Sequence, residues 1–345
     1  MRVGLVGYGA AGRHLHRPML AQAGFTVAAV VTAHPERVAQ VRANLPDALV
    51  VEDLDALLRV PDLDLVVVAS ASGAHAAQAL AVVDRGLPLV VDKPLAVDAA
   101  SALEIADAAE RAGVPLTVFQ NRRFDAEHVA ARDTVRSGAL GEVFRFEFRW
   151  ERWRPEPQHR WREDLPAEQG GGVMLDLHTH LVDAAVDLFG PVASVYAHVA
   201  SRNGVAEDDA VLDCVHESGV VSILSATSLA GAPGPRLRLL GTAGAFLLNR
   251  FQDDVDIYPD LVDPAVDHCG FVYRGADRTP VPRPAAGSGD FYDRVRTALE
   301  SDRAQELMPV QPRQAVHTLA VIDAARRSAG QGQVVHVVTP GQSPD

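Results

Sequence analysis

A carboxylate and an imidazole lie four residues apart in the middle of the chain, within the segment 170–183. On a helix, Asp176 and His180 would share one face, and Asp183 would follow three residues later on the same side. A histidine that is oriented or polarised by a carboxylate can take up and release a proton near neutral pH. The spacing therefore predicts a proton-transfer pair. A helix-surface pair or a buried, hydrogen-bonded histidine is the alternative.

A metal site is another interpretation of this segment, because His178 lies between Asp176 and His180. Residues two apart on a helix point away from each other, whereas the ligands of a metal ion must converge on it. The geometry therefore argues against a metal site, and we expect none at these residues.

A dinucleotide-binding turn is predicted near residue 1. A short apolar run over residues 2–6 leads directly into Gly7-Tyr8-Gly9-Ala10-Ala11-Gly12. In such turns the first glycine allows a tight strand-to-helix connection and the second lets a pyrophosphate approach the backbone. The third lets the helix pack on the strand. The helix N-terminus behind the turn offers free N–H groups to phosphate oxygens.

A lysine follows another apolar run. Residues 87–91 lead into Asp92, Lys93 and Pro94, which places an ammonium group at the carboxyl end of a predicted parallel strand. Ligands bind at that edge of open parallel sheets, so the lysine can reach a bound nicotinamide. A solvated surface cation is the alternative, although the following proline fixes the backbone at this point.

The residues after the second predicted strand bear on the choice of cofactor. NAD-binding domains usually place a carboxylate there for the ribose hydroxyls, and Thr32, Ala33 and His34 include none. A small hydroxyl residue followed by the potential cations His34 and Arg37 leaves room for a 2′-phosphate. This pattern favours NADP over NAD. Alternatively, Arg37 is a surface arginine at the start of the next helix.

The elements that carry these residues follow two patterns. Up to about residue 120, Val-rich runs alternate with amphipathic or Ala-rich stretches, which indicates β–α–β units and a parallel sheet. The predicted strands are 2–6, 26–31, 63–70, 87–91 and 116–119, and the predicted helices are 10–23, 74–85 and 98–112.

From residue 143 onward the pattern is one of alternation. Aromatic residues at 144, 146, 148 and 150 alternate with charged residues at 145, 147 and 149, which predicts a strand with one wet face, as in an antiparallel sheet. Further strands are predicted at 192–200, 210–217, 220–225, 236–240 and 245–249, with Ser218-Gly219 as a hairpin turn. An irregular loop over 280–289, helices at about 290–300 and 313–329, and a frayed tail after residue 338 complete the prediction.

The sequence thus predicts an α/β protein with two domains. An N-terminal Rossmann domain with a parallel sheet is expected over 1–121. A C-terminal α+β domain with an open, mostly antiparallel sheet is expected over 122–338, followed by a tail over 339–345. We expect this second domain to carry the substrate site and the contacts between subunits.

Composition excludes several classes of protein. The formal net charge is −13 over 345 residues, so a basic surface that follows phosphates is not expected, and nucleic acid is a poor candidate partner. Only two cysteines occur, which argues against a disulfide framework. The first strand has no signal-like leader before it, and no apolar run approaches the ~20 residues of a membrane span. We therefore expect a soluble, cytoplasmic protein without a membrane partner.

These motifs together resemble the Gfo/Idh/MocA oxidoreductases, a family named for glucose–fructose oxidoreductase and inositol dehydrogenase. The resemblance rests on the glycine turn, the acidic-Lys-Pro tripeptide and the glycine triplet followed by Asp-x-x-x-His. It covers nearly the whole chain and suggests the scyllo-inositol dehydrogenase-like branch. Further matching segments are Phe119-Gln120-Asn121-Arg122-Arg123-Phe124, Trp153-Arg154-Pro155, Trp161-Arg162 and Leu240-Gly241-Thr242-Ala243-Gly244. The family implies a Rossmann domain and an open sheet that often forms dimer or tetramer contacts.

The resemblance also implies roles for single residues. Lys93 matches the catalytic lysine of the family, Asp176 the aspartate that binds and orients the substrate, and His180 the acid/base histidine. Asp92 stands where glutamate is commoner, which keeps the charge but shortens the reach by one methylene. His178 stands where the family usually has glycine, which could alter the pocket wall or the substrate.

Two sets of contacts are expected from these motifs. The cofactor contacts are Gly7, Gly9, Ala10, Ala11, Gly12, Thr32, His34, Arg37, Ser70, His75, Asp92 and Lys93. The substrate contacts are Asn121, Arg123, Trp161, Arg162, Asp176 and His180.

The expected function is that of an NAD(P)-dependent oxidoreductase. It would transfer hydride between the nicotinamide and a secondary alcohol of a sugar, inositol or related polyol, as a homodimer or homotetramer. A non-catalytic dinucleotide-binding regulator of the same family is the alternative, and an enzyme that shuttles hydride between two substrates on a tightly held cofactor is a third possibility. The presence of Lys93, Asp176 and His180 favours catalysis, because a sensor needs no proton-transfer set.

Overall fold

The structure is a computed structural model that describes residues 1–249, 267–285 and 287–341. The chain divides into two compact units, Met1–Gln120 with Gly289–Val316, and Asn121–Ser288 with His317–Asp345. Residues 289–316, predicted to belong to the second domain, thus pack with the first unit. None of the described helices is long and apolar enough to cross a membrane.

The first unit contains a six-stranded parallel sheet. Its strands are β1 (Arg2–Val6), β2 (Thr26–Val31), β3 (Leu49–Val51), β4 (Leu65–Val68), β5 (Leu89–Asp92) and β6 (Leu116–Phe119). They lie in the order β3-β2-β1-β4-β5-β6, and every pairing is parallel. This is the doubly wound order of a Rossmann fold, in which the connections reverse direction between β1 and β4.

The second unit contains a nine-stranded mixed sheet. Its strands are β7 (Val143–Glu151), β8 (Val192–Ala200), β9 (Asp209–His216), β10 (Val221–Thr227), β11 (Leu237–Gly241), β12 (Gly244–Leu248), β13 (His268–Arg274), β14 (Asp277–Pro282) and β15 (Val335–His336). Their order is β14-β13-β12-β11-β7-β10-β9-β8-β15. The sheet is mostly antiparallel, as predicted, but β7 and β10 pair in parallel. The α/β class with two different sheets is confirmed.

Helices connect these strands. They are α1 (Arg17–Gln22), α2 (Pro35–Asn44), α3 (Leu54–Leu57), α4 (His75–Asp84), α5 (Ala99–Ala112), α6 (Ala126–Arg136), α7 (Trp161–Asp164), α8 (Thr179–Phe189), α9 (Asp290–Leu299), α10 (Ala304–Leu307) and α11 (Pro312–Gln331). The bounds of α5 follow from its caps, since the Asp98 carboxylate accepts a hydrogen bond from the Ser101 N–H and Gly113 ends the helix with φ +65°.

Two π-helical turns occur inside or next to helices. Gly12–His16 lies inside the predicted helix 10–23, and Met174–His178 lies directly before α8. Such turns insert one residue into a helix and occur frequently at functional sites. Both turns contain candidate residues of this protein.

The polar face of β7 is less exposed than its alternation predicts. Glu147 is buried and accepts hydrogen bonds from Arg149, at 2.8 Å, and from Arg238. Ion pairing by neighbouring side chains therefore covers this face, and the prediction of a wet face is wrong at Glu147. The two arginines also lower the pKa of Glu147, against the effect of its burial.

The aromatic face of β7 also departs from the prediction at one residue. Phe144 is 46 % exposed, although the aromatic residues at 146, 148 and 150 are buried. Arg145 pairs with Leu240 and Val143 pairs with Gly241, so Phe144 is the extra residue of a β-bulge. A bulge interrupts the alternation of a strand.

The stretch 280–289 is only partly the predicted loop. Pro280 pairs with Phe271 and Pro282 with His268, so both prolines belong to β14. Prolines are tolerated there because β14 is an edge strand. Residues 283–285 and 287–289 contain no helix or strand, and residue 286 lies outside the described residues.

The C-terminal tail is ordered at its beginning. Thr339 is buried, and its hydroxyl lies 2.6 Å from Nδ1 of His317. The predicted fraying therefore does not begin directly after residue 338. Residues 342–345 lie outside the described residues.

Candidate active site

The turn after β1 has a geometry that requires glycine at two positions and leaves space at a third. Gly7 has φ +97°, and a Cβ there would lie 2.7 Å from the carbonyl oxygen of Ala69. A Cβ on Gly12 would lie 2.3 Å from the Gly7 carbonyl oxygen. At Gly9 a Cβ would meet no atom of the described residues within 4 Å. The turn thus fits the close approach of a pyrophosphate to Gly9.

Four strand ends lie at the edge of the parallel sheet that carries this turn. Gly7, Thr32 and Lys93 directly follow β1, β2 and β5, and Ser70 lies two residues after β4. Parallel strands place their carboxyl ends at one edge, where ligands bind in this kind of sheet. The structure therefore brings the predicted cofactor residues of the first unit to one edge.

The residues predicted to choose the cofactor lie at the start of α2. His34 precedes the helix, and Arg37 lies in its first turn together with Glu36. Both His34 and Arg37 are exposed, and within the described residues neither side chain forms an ion pair or hydrogen bond. The exposed Arg37 guanidinium and His34 ring can therefore meet a phosphate, with one carboxylate nearby.

Ser70 and His75 join the loops that follow β4 and β5. His75 is buried, with Nδ1 2.8 Å from the Pro94 carbonyl oxygen and Nε2 3.2 Å from the Ser70 carbonyl oxygen. The Ser70 hydroxyl donates to Gln78 at 2.6 Å. These contacts hold the loop that carries Lys93, and cofactor contacts by Ser70 and His75 remain predictions.

A buried polar chain lies behind Lys93. The Asp92 carboxylate accepts a hydrogen bond from the Lys93 backbone N–H at 2.8 Å and lies 3.5 Å from Nε2 of His16. Nδ1 of His16 is 2.6 Å from the Tyr292 hydroxyl. Burial acts to raise the pKa of Asp92, but the hydrogen bond and charge of His16 and the charge of Lys93 outweigh it and lower the pKa. Asp92 therefore remains a carboxylate beside Lys93.

Two residues of this unit, His16 and Tyr292, and one property of Lys93 were missed at the sequence level. His16 lies one helical turn after Gly12, on the helix that follows the glycine turn, so its proximity to the site was readable. Tyr292 lies in α9, and its contact over 276 residues of chain has no local signal. Of the 32 lysine and arginine residues in the chain, Lys93 is the only lysine. A single lysine in a chain that otherwise uses arginine indicates that this position requires an ammonium group.

In the second unit, Asp176 lies in the π-helical turn Met174–His178. Its carboxylate is 3.2 Å from Nε of Arg162, whose guanidinium lies over the Trp161 ring at 4.3 Å from the centroid. The structure therefore brings together three of the predicted substrate residues. Because a π turn changes the angular spacing of side chains, the predicted shared face of Asp176 and His180 remains a prediction.

His180 lies in the first turn of α8 and is buried against β7. Its ring stacks on the Trp150 indole, with centroids 5.5 Å apart and planes inclined by 25°. The Arg122 guanidinium lies over the same indole, at 5.3 Å. Stacking restricts the imidazole to one orientation, as a positioned acid or base requires.

His178 turns into the core of the second unit. It is fully buried, and Nε2 lies 3.3 Å from the Leu224 carbonyl oxygen on β10. Burial lowers the pKa of His178 to about 4, so the imidazole is neutral at physiological pH. The residue that replaces the usual glycine of the family is therefore a core residue. Within the described residues, no three His, Cys, Asp or Glu side chains are grouped as metal ligands would be.

Arg123 is engaged in a buried ion pair. Its Nε and Nη2 each donate to the Asp183 carboxylate at 2.7 Å, and Nη1 lies 3.4 Å from Asp187. Asp183 is thereby occupied by a guanidinium, a partner that no motif of the sequence indicated. Asn121 is buried in the short 3₁₀ turn before α6. Substrate contacts by Arg123 and Asn121 remain predictions.

A cavity of about 220 Å³ lies within the second unit, next to Asp176. Arg162 and Asp176 line it together with Arg152, a residue that no motif indicated. Arg152 follows Trp150 by two positions along an extended backbone, so the alternation of β7 was the signal that could have placed it on the face of Trp150.

Comparisons with known proteins identify the family. The model described as "Oxidoreductase family, NAD-binding Rossmann fold" matches residues 1–120, and that of the GFO/IDH/MocA C-terminal domain matches residues 128–247. This chain belongs to the Gfo/Idh/MocA oxidoreductases. The predicted resemblance is thereby confirmed.

Relatives of this oxidoreductase cover most of its length. It is 27 % identical to scyllo-inositol 2-dehydrogenase (NADP⁺) IolW of Bacillus subtilis, over 97 % of this chain and 95 % of that protein. A crystal structure of a Klebsiella pneumoniae protein matches with a TM-score of 0.85 and 30 % identity, over 100 % of this chain and 97 % of that one. The WlbA dehydrogenase of Bordetella pertussis, in complex with NADH and UDP-GlcNAcA, matches with a TM-score of 0.79 and 25 % identity, over 98 % and 99 %.

Proposed function

We propose that this oxidoreductase transfers hydride between a nicotinamide cofactor and a secondary alcohol of a sugar, inositol or related polyol. The observation that carries the proposal is the carboxyl edge of the parallel sheet. There the open position at Gly9 and the only lysine of the chain, beside an ionised Asp92, follow strands of one sheet. The names of the relatives, a scyllo-inositol 2-dehydrogenase and a dehydrogenase bound to NADH, support this reaction class.

Each candidate residue has a role in the proposed reaction. When bound, the nicotinamide supplies the hydride acceptor or donor. The glycine turn holds the pyrophosphate, and the Lys93 ammonium donates a hydrogen bond to the reacting hydroxyl oxygen and polarises it. In the oxidation His180 accepts the hydroxyl proton on a ring nitrogen, and Asp176 orients the substrate.

A substrate screen tests the reaction. Polyols, aldoses and uronates are offered to the protein with each nicotinamide cofactor, and formation of the reduced nicotinamide is followed by absorbance. We expect turnover with at least one secondary alcohol. Tight binding of a cofactor without turnover of any of these compounds would instead support the non-catalytic regulator.

We further propose that NADP(H) is the preferred cofactor, because Arg37 and His34 are exposed beside the end of β2. Arg37→Ala should weaken NADP(H) binding about tenfold or more, the effect of losing a hydrogen bond to a charged group, and leave NAD(H) binding unchanged. Arg42→Ala, in the last turn of the same helix, is the matched control. Calorimetric titration that shows tighter NAD(H) binding, with no effect of Arg37→Ala, would refute the assignment.

We place the reaction in the cytoplasm. Cys214 and Cys269 are both buried thiols and form no disulfide, as suits a reducing compartment. Burial raises the pKa of Cys214 above its usual range, which makes its thiol unreactive.

A further inference from the structure

The cavity of the second unit contains a buried cation without a counter-ion. Arg152 is 6 % exposed and lines the cavity, and its Nε is buried without a hydrogen-bond partner. Among the described residues its side chain takes part in no ion pair and no hydrogen bond. Taking an arginine out of water without a partner is costly, and buried charges in proteins are usually paired.

The backbone of Arg152 shows that this burial is built into the sheet. Its N–H donates to the Thr227 carbonyl oxygen at 3.1 Å, and its carbonyl oxygen accepts from the Ala230 N–H at 3.0 Å. The extended pairing of β7 with β10 therefore continues through this residue. Alternation then places the guanidinium on the same face as Trp150, the residue on which His180 stacks.

No ion pair joins Arg152 to any of the six acidic side chains that line the cavity, which are Glu156, Glu163, Asp164, Asp176, Glu207 and Asp208. Glu156 is exposed, and the Asp164 carboxylate lies 3.6 Å from Nδ1 of His159. Three of the six lie 3.2 Å or closer to a different arginine, as the pairs Glu163–Arg160, Asp176–Arg162 and Glu207–Arg326. Asp208 accepts hydrogen bonds from the backbone N–H groups of Arg202 and Asn203, both at 2.8 Å. None of these carboxylates is paired with Arg152. A group from outside the described residues is therefore needed to neutralise its charge.

We propose that Arg152 binds a carboxylate of the substrate, so that the alcohol oxidised is that of a sugar acid. This inference rests on the proposed function and narrows its substrate class. A guanidinium presents two parallel N–H donors that match the two oxygens of a carboxylate. One unpaired positive charge is balanced by one negative charge, which favours a carboxylate over a phosphate dianion. Asp176 lines the same cavity, so the acid group and the hydroxyl groups of one small molecule can be held together.

Calorimetric binding with saturating reduced nicotinamide cofactor, which cannot accept hydride from an alcohol, tests the proposal on matched pairs of ligands. D-Gluconate is compared with D-glucitol and D-glucuronate with D-glucose, since each pair differs in the carboxylate. We expect at least one acid to bind ten times or more tighter than its neutral counterpart. Arg152→Gln should weaken that acid about tenfold to a hundredfold and leave the neutral ligand unchanged, as for loss of one partner of a buried charge pair.

Two controls separate binding from stability. Arg160→Gln removes an arginine from the same cavity that is exposed and already paired with Glu163, and it should leave the preference for acids intact. The melting temperature of ligand-free Arg152→Gln should equal or exceed that of the wild type, because an unpaired buried charge is removed. A fall of many degrees would show that Arg152 supports the fold and would overturn the proposal.

The other outcomes are equally decisive. Equal binding of acid and neutral ligands, no binding of either acid, or equal losses for both ligands in Arg152→Gln would refute a carboxylate site. Tighter binding of D-glucose 6-phosphate than of D-glucuronate would refute the choice of carboxylate over phosphate. Because binding is measured without turnover, a sugar acid that binds through Arg152 and is not oxidised would refute the hydride transfer and leave this site standing.

Discussion

The Asp92 carboxylate next to Lys93 is kept ionised by other groups of the first unit. The Asp92 carboxylate accepts the Lys93 backbone N–H and lies beside buried His16, and its pKa is lowered despite burial. Tyr292, on the other nitrogen of His16, has its pKa raised well above the usual value by burial and stays a neutral hydroxyl. Lys93 therefore has an anionic neighbour, and the Tyr292 hydroxyl adds no second negative charge.

At the level of single residues, we expect catalysis to depend on His180 and Lys93. His180→Ala and Lys93→Ala should each lower kcat of oxidation by about 10²-fold or more and change cofactor affinity little, since a positioned acid or base contributes about 10²–10⁴. Asp176→Asn should affect KM more than kcat. Steady-state absorbance measures kcat and KM, and calorimetry measures the cofactor affinity.

The control for these variants is Arg136→Ala, at an exposed position in the last turn of α6. It should leave kcat and KM unchanged. An unchanged kcat and pH profile in His180→Ala would mean that the proton acceptor is another group.

At the level of elements, the two π-helical turns are associated with candidate residues. Gly12–His16 begins at the last glycine of the turn after β1 and ends at His16, and Met174–His178 carries Asp176 in its middle. The sequence does not reveal a π turn, because over so few residues its pattern of polar and apolar side chains is the same as that of an α-helix. Its extra residue shows only in the hydrogen bonds.

The glycine turn leads to a prediction about one element. Gly9→Ala should leave the melting temperature nearly unchanged, because a Cβ there meets no described atom within 4 Å, and should weaken cofactor binding about tenfold or more. Gly12→Ala should lower the melting temperature, because its Cβ would lie 2.3 Å from the Gly7 carbonyl oxygen. Thermal unfolding and calorimetry separate the two effects.

Gly330→Ala is the control, since a Cβ in this part of α11 meets open space. It should change neither measurement, apart from a small stabilisation by alanine's helix propensity. Unchanged cofactor affinity in Gly9→Ala would contradict the role given to this turn.

Strands with a strong local pattern were predictable. The bounds of β1, β2, β6 and β8 agree with the prediction because each is a short apolar or alternating run with turn residues beyond it. The parallel pairing of β7 with β10 was not predictable, since it depends on which distant strand lies alongside. The same holds for the return of residues 289–316 to the first unit.

The candidate site was predictable to the extent that its residues form motifs. The glycine turn, Asp176 and His180 could be proposed as candidates from their spacing, and Lys93 from its position at a strand end. Arg152 was not found, because it differs from other arginines only in having no ion-pair partner among the described residues. Which side chains form ion pairs is decided by the tertiary structure. The ion pair that occupies Arg123 joins residues 60 apart and was hidden for the same reason.

At the level of the whole molecule, we expect a homodimer or homotetramer formed through the second unit's sheet. Val211 and Val215 of β9 are 37 % and 40 % exposed, while the residues alternating with them are buried. Asp213 is exposed between the two valines. Apolar side chains exposed on the face of a wide sheet, interspersed with polar ones, are typical of an interface. Light scattering at micromolar concentration should show an oligomer that Val211→Asp combined with Val215→Asp dissociates.

Leu307→Asp, at an exposed leucine of α10 in the first unit, should not change the mass. A monomeric wild type, or an oligomer insensitive to the two β9 substitutions, would refute this interface.

Stability of the whole chain should depend on pH through buried histidines. Burial lowers the pKa values of His178 and His317 to about 4, and that of His216 is lowered as well. Nε2 of His317 accepts the Val192 N–H at 2.9 Å, which requires the neutral ring. Asp125 acts in the opposite direction, because burial raises its pKa to about 6.

We therefore expect the melting temperature to fall by several degrees between pH 7 and pH 5. Unfolded histidines titrate near 6.5, so between 6.5 and about 4 the unfolded chain binds more protons than the native one. The stability is complete above this window and is lost as pH falls through it, with Asp125 offsetting a part. His317→Gln should reduce the slope, and a melting temperature constant over this range would contradict the account.

Because Lys93 is the only lysine of the chain, chemical modification of lysine reports on the first unit alone. An amine-directed reagent has Lys93 as its only lysine target, and the guanidinium groups of the arginines do not react with such a reagent. Lys93 is partly exposed, so its acylation can be followed as a mass increment on the peptide that contains it. Protection by nicotinamide dinucleotide would then report occupancy at the ammonium group itself, whichever substrate the enzyme takes.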